Sequence, residues 1–195
     1  MGEIKSALEI ALEKADRLGK ASHEELKLAQ WQDEGRKLAA RFINGELEDL
    51  RQGLEQLPPE AIAKAIEGAT EVLVRNVILP RDKFHWDNIN KAVQGIVELK
   101  GSTMRQVTDR VMELLKMYEH TVNQYQEQMK AQFQAKLGGL QQAIAQQYGA
   151  EVATNIDLEA LPEYQQEWSK VRAEIDSQFE EQLNQMKTYI LHSTF

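Results

Sequence analysis

The chain has 195 residues, 42% hydrophobic, 28% charged and 7% aromatic, with 11 Gly, 4 Pro and no Cys, which suits one large domain or two small ones and excludes disulfides, thiolate metal sites and cysteine nucleophiles. Its net charge is −8, with 15 basic and 18 acidic groups in residues 1–100 and 8 and 13 in residues 101–195. No stretch concentrates Lys and Arg, which argues against a protein that neutralises nucleic-acid phosphates or an anionic membrane surface.

Turn-forming residues are too sparse for a sheet protein, so the pattern predicts an all-α chain with a helix content above about 70%. Ile4, Leu8, Ala11, Ala15 and Leu18 step by 4, 3, 4 and 3, which puts them on one helical stripe that Gly19 can end. Ser22 and Glu25 have the spacing of a capping box, so a second helix is expected from there to Asn44-Gly45. Leu47, Leu50, Leu54 and Leu57 mark a short third helix that stops at Pro58-Pro59. Ile62, Ile66, Ala69, Leu73 and Val77 mark a fourth, expected to reach Pro80 with a buried apolar end.

Arg81 to Asp87 reads as a connection. Phe84-His85-Trp86 is expected to plug it onto the core, and Asp87 to cap a fifth helix carrying Ile89, Val93, Ile96 and Val97 to Gly101. Gly101-Ser102 is the main expected boundary. It divides a region of about five short helices, residues 1–100, from a long hairpin, residues 101–195.

Beyond the boundary, Met104, Val107, Val111, Leu114, Tyr118, Thr121, Tyr125, Met129, Phe133, Leu137, Leu140, Ile144 and Tyr148 form one long seam. Its mean step lies near an eleven-residue repeat rather than a heptad. Gly138-Gly139 is the point where this helix could kink or reverse. A second seam follows at Leu161, Tyr164, Trp168, Val171, Ile175, Phe179, Leu183, Met186 and Ile190, and the matching periods predict an antiparallel, coiled-coil-like hairpin that reverses between Tyr148 and Leu161. The first helix of the pair is the longer, so part of its seam needs another cover. That points to a homo-oligomer, most simply a dimer, with Tyr118, Tyr125, Met129, Phe133 and Leu137 as interface candidates.

Chemistry-bearing motifs are few. The sequence contains no Gly-x-Ser-x-Gly elbow, no phosphate-binding glycine loop and no Glu-x-x-His of the kind that holds two metals in a bundle. No cofactor, metal or catalytic residue is therefore expected. His23, His85, His120 and His192 read as isolated histidines, and the 15 Gln of residues 101–195 as a neutral helical face. The leading function is a non-catalytic scaffold or adaptor acting through protein contacts and self-association. The alternative is an enzyme or small-ligand binder with a pocket near Asp82 and His85, or near Glu119 and His120.

The opening Met1-Gly2-Glu3-Ile4-Lys5-Ser6, with Leu8 and a charged amphipathic continuation, resembles the start of a family of small bacterial proteins of unknown function. That resemblance is confined to the N-terminus and carries no catalytic motif; it implies a bacterial, cytosolic protein. A cytoplasmic location is also what the opening residues suggest, because they lack the apolar core of a secretory signal and no apolar stretch is long enough to span a bilayer.

Overall fold

The computed structural model describes the backbone of residues 7–148 and 157–193 and the side chains of residues 23–139 and 157–193. It is all-α, 88% helical, with no strand among the described residues. Six α-helices follow in order: α1 (Ala7–Ile43), α2 (Leu50–Glu55), α3 (Pro59–Asn76), α4 (Lys83–Lys100), α5 (Arg105–Tyr148) and α6 (Pro162–His192). The chain divides into two compact units, one comprising Met1–Ile78, Phe84–Thr108 and Ile190–Phe195, the other Leu79–Lys83 and Asp109–Tyr189.

In the first unit α3 packs on α1 through residues with almost no side chain. A Cβ on Gly35 would lie 1.8 Å from the Ala65 carbonyl oxygen, and one on Gly68 would lie 1.9 Å from that of Gln32. Each glycine therefore lets the opposing backbone come to a distance that no other residue permits. Ala39, Ala61, Ala65 and Ala69 are fully buried along the same crossing. At its rim the Glu71 carboxylate accepts from Gln32 Nε2 at 2.8 Å and from Arg36 Nε and Nη2 at 3.0 and 2.9 Å. The apolar core continues to α2 and α4 through Leu50, Leu73, Ile89 and Ile96, each fully buried.

Three boundaries differ from the sequence expectation. No break occurs at Gly19 and Ser22, because α1 is continuous from Ala7 to Ile43. A single interior Gly costs only about 1 kcal/mol, less than starting a second helix from a new nucleus. The fourth predicted helix stops at Asn76 and not at Pro80, since the Pro80 ring would clash with the carbonyl four residues earlier, which is that of Asn76. Of the apolar end expected to be buried, Leu73, Val74, Val77 and Leu79 are buried, whereas Ile78 is 38% exposed. The fifth begins at Lys83, so Asp87 is not its cap. Phe84, His85 and Trp86 then occupy consecutive helical positions about 100° apart and cannot all face the core. Phe84 is 83% exposed, while His85 and Trp86 are half-buried.

Other punctuation is where the sequence puts it. Gly45 takes φ 78° just past α1 and Gly101 takes φ 79° just past α4, a left-handed conformation that glycine adopts without strain. At α2 a fourth boundary differs: the helix is shorter than its Leu47 to Leu57 stripe and runs Leu50–Glu55, started by the Asp49 side chain, which accepts from Gln52 N at 2.9 Å.

In the second unit α5 is one helix through Gly138-Gly139 to Tyr148, so the chain does not reverse at the glycine pair. Tyr118 meets Phe179 with ring centroids 5.4 Å apart, Phe133 meets Tyr164 at 5.3 Å, and Lys130 pairs with Glu159 at 2.5 Å. Between the two ring pairs the residue number rises on α5 and falls on α6, so these stretches of the two helices run antiparallel. The expected turn between Tyr148 and Leu161 falls mainly on residues 149–156, outside the described residues. On α6 the buried residues Tyr164, Ile175, Phe179, Leu183 and Ile190 all belong to the expected seam. Of the expected first seam Met104, Val111, Leu114, Tyr118 and Met129 are buried, Leu115 and Val122 join them from beside it on α5, and Tyr125 is 47% exposed.

Candidate functional site

The sequence gives α5 a tyrosine inside an otherwise apolar seam and gives α6 an Arg and an Asp four residues apart on the flank of its own seam. In the fold these three side chains converge. Tyr118 Oη donates to Asp176 Oδ1 at 2.6 Å, Arg172 Nε donates to the same oxygen at 2.9 Å, and Arg172 Nη2 donates to Tyr118 Oη at 2.5 Å. The guanidinium also stands 5.2 Å from the Tyr118 ring centre, which adds a cation–π contact. Tyr118 is buried, whereas the Arg172 and Asp176 side chains keep 24% and 22% of their surface.

Burial, with the hydrogen bond to Asp176 next, pushes the Tyr118 hydroxyl up to about 12; the nearby Arg172 charge opposes this more weakly. The folded value lies above that of an unfolded tyrosine, near 10. The stabilisation is therefore complete below pH about 10 and is lost as pH rises through about 12. A phenolate absorbance titration is expected to show one tyrosine ionising after the others, and Tyr118→Phe should remove that late step. A titration of the unaltered protein with no late step would count against the buried network.

The Arg172 and Asp176 side of this network opens onto a cleft of about 640 Å³, which is also lined by Trp168, Gln126 and Arg81. Arg81 comes from the extended segment between α3 and α4 and is exposed. A second cleft, of about 600 Å³, is lined by Tyr125, Gln128, Gln132, Phe133, Glu167 and Val171. In the first unit a smaller cleft of about 410 Å³ has Lys100 on its wall, where Nζ donates to the Ser193 carbonyl at 2.5 Å and burial lowers the ammonium's pKa.

Of the interface candidates, Tyr118 and Met129 are buried, Phe133 and Leu137 are half-buried, and Tyr125 is exposed. Asp82, Glu119 and His120 are exposed and His85 is half-buried; none of the four lines the three clefts described. Arg172, Asp176, Trp168 and Arg81 were not singled out from the sequence. The available signal was the buried tyrosine itself, whose hydroxyl needs a partner, and the Arg-x-x-x-Asp spacing beside Val171 and Ile175. Among the described residues no group of three or more His, Asp or Glu stands where it could hold a metal ion, and no helix is long and apolar enough to cross a membrane.

In comparisons with known proteins, residues 51–192 match a family described as a family of unknown function (DUF6657). No curated protein and no solved structure matches the chain.

Proposed function

Because the chain belongs to this family of unknown function, we propose from its own surface that it is a non-catalytic helical scaffold that self-associates through one face of α5. The observation that carries this reading is an exposed, uncharged stripe. Met117 is 58% and Tyr125 47% exposed, and half-buried Thr121 and exposed Gln128 and Gln132 continue the same line at steps of 4, 4, 3 and 4. A chain of net charge −8 repels its own copies over most of its surface, so a face without charge is where two can approach at least electrostatic cost. A large apolar side chain left in water forgoes roughly 1.5 to 3 kcal/mol of burial, which gives Met117 and Tyr125 a reason to be covered. Beside the stripe lies the second cleft, partly walled by Tyr125 itself; its charged groups, Lys136, Glu163 and Glu167, belong to the groove and not to the stripe, so a two-fold contact is expected along the stripe.

The setting that suits this reading is the bacterial cytosol, as the resemblance at Met1 to Leu8 implies.

Light scattering at tens of micromolar is expected to return twice the 22.3 kDa chain mass. Met117→Glu and Tyr125→Glu should each restore the single-chain mass with helix content unchanged, since both side chains are exposed within the chain. A monomer mass for the unaltered protein at all concentrations would overturn the proposal.

A further inference from the structure

The cleft beside Tyr118, Arg172 and Asp176 offers more than packing, and it is independent of the self-association face. We infer that it binds a small organic carboxylate with a flat apolar body, the carboxylate held between Arg172 and Arg81 and the body laid against Trp168.

Charge accounting supports an anion. Asp176 is already engaged by Arg172, and Glu159, which also lines the cleft, is paired with Lys130 at 2.5 Å from outside it. Arg81 has no such carboxylate among the described residues. One positive charge is therefore left over in the cleft of a chain whose net charge is −8. A single excess charge suits a monoanion such as a carboxylate better than a doubly charged phosphate ester.

Geometry supports the same class. Arg172 is held from behind through Nε and one Nη2 hydrogen, which fixes the plane of its guanidinium. A guanidinium has five donors, so the Nη1 pair and the second Nη2 hydrogen remain for a ligand. Such a fork, fixed before the ligand arrives, loses little freedom on accepting a carboxylate. Trp168 is half-buried and supplies an apolar wall, while Gln126 and Ser169 add neutral hydrogen-bonding groups. A volume of about 640 Å³ lies within the range of small-molecule sites.

The test uses benzoate as the probe and its neutral isostere benzamide as the control, with the Trp168 indole N–H followed by NMR after assignment with Trp168→Phe. Benzoate is expected to shift this resonance saturably, with a dissociation constant in the millimolar range. Benzamide should bind at least tenfold more weakly, as should benzoate to Arg81→Ala. Arg81 is exposed and outside the helices, so that variant should keep the fold, which circular dichroism checks. Comparing benzoate with benzamide on the unaltered protein does not depend on any variant. No saturable shift with benzoate at tens of millimolar, equal binding of the two probes, or unchanged benzoate affinity in folded Arg81→Ala would each overturn the inference. None of these results bears on the mass measured by light scattering.

Discussion

Gly68→Ala is expected to destabilise the first unit by about 3 kcal/mol or more, although alanine is the better helix former by about 1 kcal/mol. The new Cβ would sit 1.9 Å from the Gln32 carbonyl oxygen and 2.8 Å from its carbon. Backbone atoms in the middle of a helix cannot rotate aside as a side chain can. The helices must therefore move apart, which loosens Ala39, Ala61, Ala65 and Ala69 together. Gly35→Ala meets the Ala65 carbonyl oxygen at 1.8 Å and should behave alike. Gly138→Ala is the matched control, because nothing lies within 4 Å of its Cβ position. There the same chemical change is expected to stabilise by about 0.4 to 1 kcal/mol through helix propensity and a less flexible unfolded chain. Urea unfolding followed by circular dichroism reads both signs. Stabilisation by Gly68→Ala would show that α1 and α3 do not approach as closely as described.

Asp176→Ala should cost about 2 to 3 kcal/mol in the same measurement. Removing one member of a buried ion pair typically costs about 3 to 5 kcal/mol, because the other charge is left without its partner, and residual exposure of Arg172 and Asp176 reduces this. Two donors lose their acceptor at once, Tyr118 Oη and Arg172 Nε. Tyr118→Phe removes a hydroxyl but leaves the ion pair, so it should cost only about 1 kcal/mol. An Asp176→Ala effect below that of Tyr118→Phe would contradict the assignment of Asp176 as the shared acceptor.

The fold class was readable from the sequence because helix periodicity and the scarcity of breakers depend only on neighbours along the chain. The α6 seam, Gly45 and Gly101 all belong to this local kind of information. Features that depend on a competing or distant partner were not readable. Whether Gly19 ends a helix depends on nucleation against propagation, and residue spacing carries no record of that balance. Tyr125 fits the periodicity of α5 and shares a face with buried Leu114, yet it is 47% exposed. Gly35 and Gly68 look like weak spots in two separate helices until Ala65 and Gln32 are brought against them. The cleft was invisible for the same reason, since Arg81 lies far in sequence from Trp168 and Arg172, which are one turn apart on α6, and only the packing of the second unit brings it to them.

Tyr118, Arg172 and Asp176 also settle which of several apolar pairings α5 and α6 adopt. Seams of similar period can slide past one another by a heptad and still bury hydrophobic surface. A slide one way would bring Leu183 to the place of Asp176 and leave the Tyr118 hydroxyl against hydrocarbon. A slide the other way would offer that hydroxyl Ser169, but would carry Asp176 and Arg172 opposite Val111 and Leu115, with their charges in an apolar seam. Only the observed alignment satisfies all three groups. Replacing Arg172 and Asp176 together by leucine would remove that discrimination, and the expected product is a pair of helices as stable as before but distributed over more than one alignment.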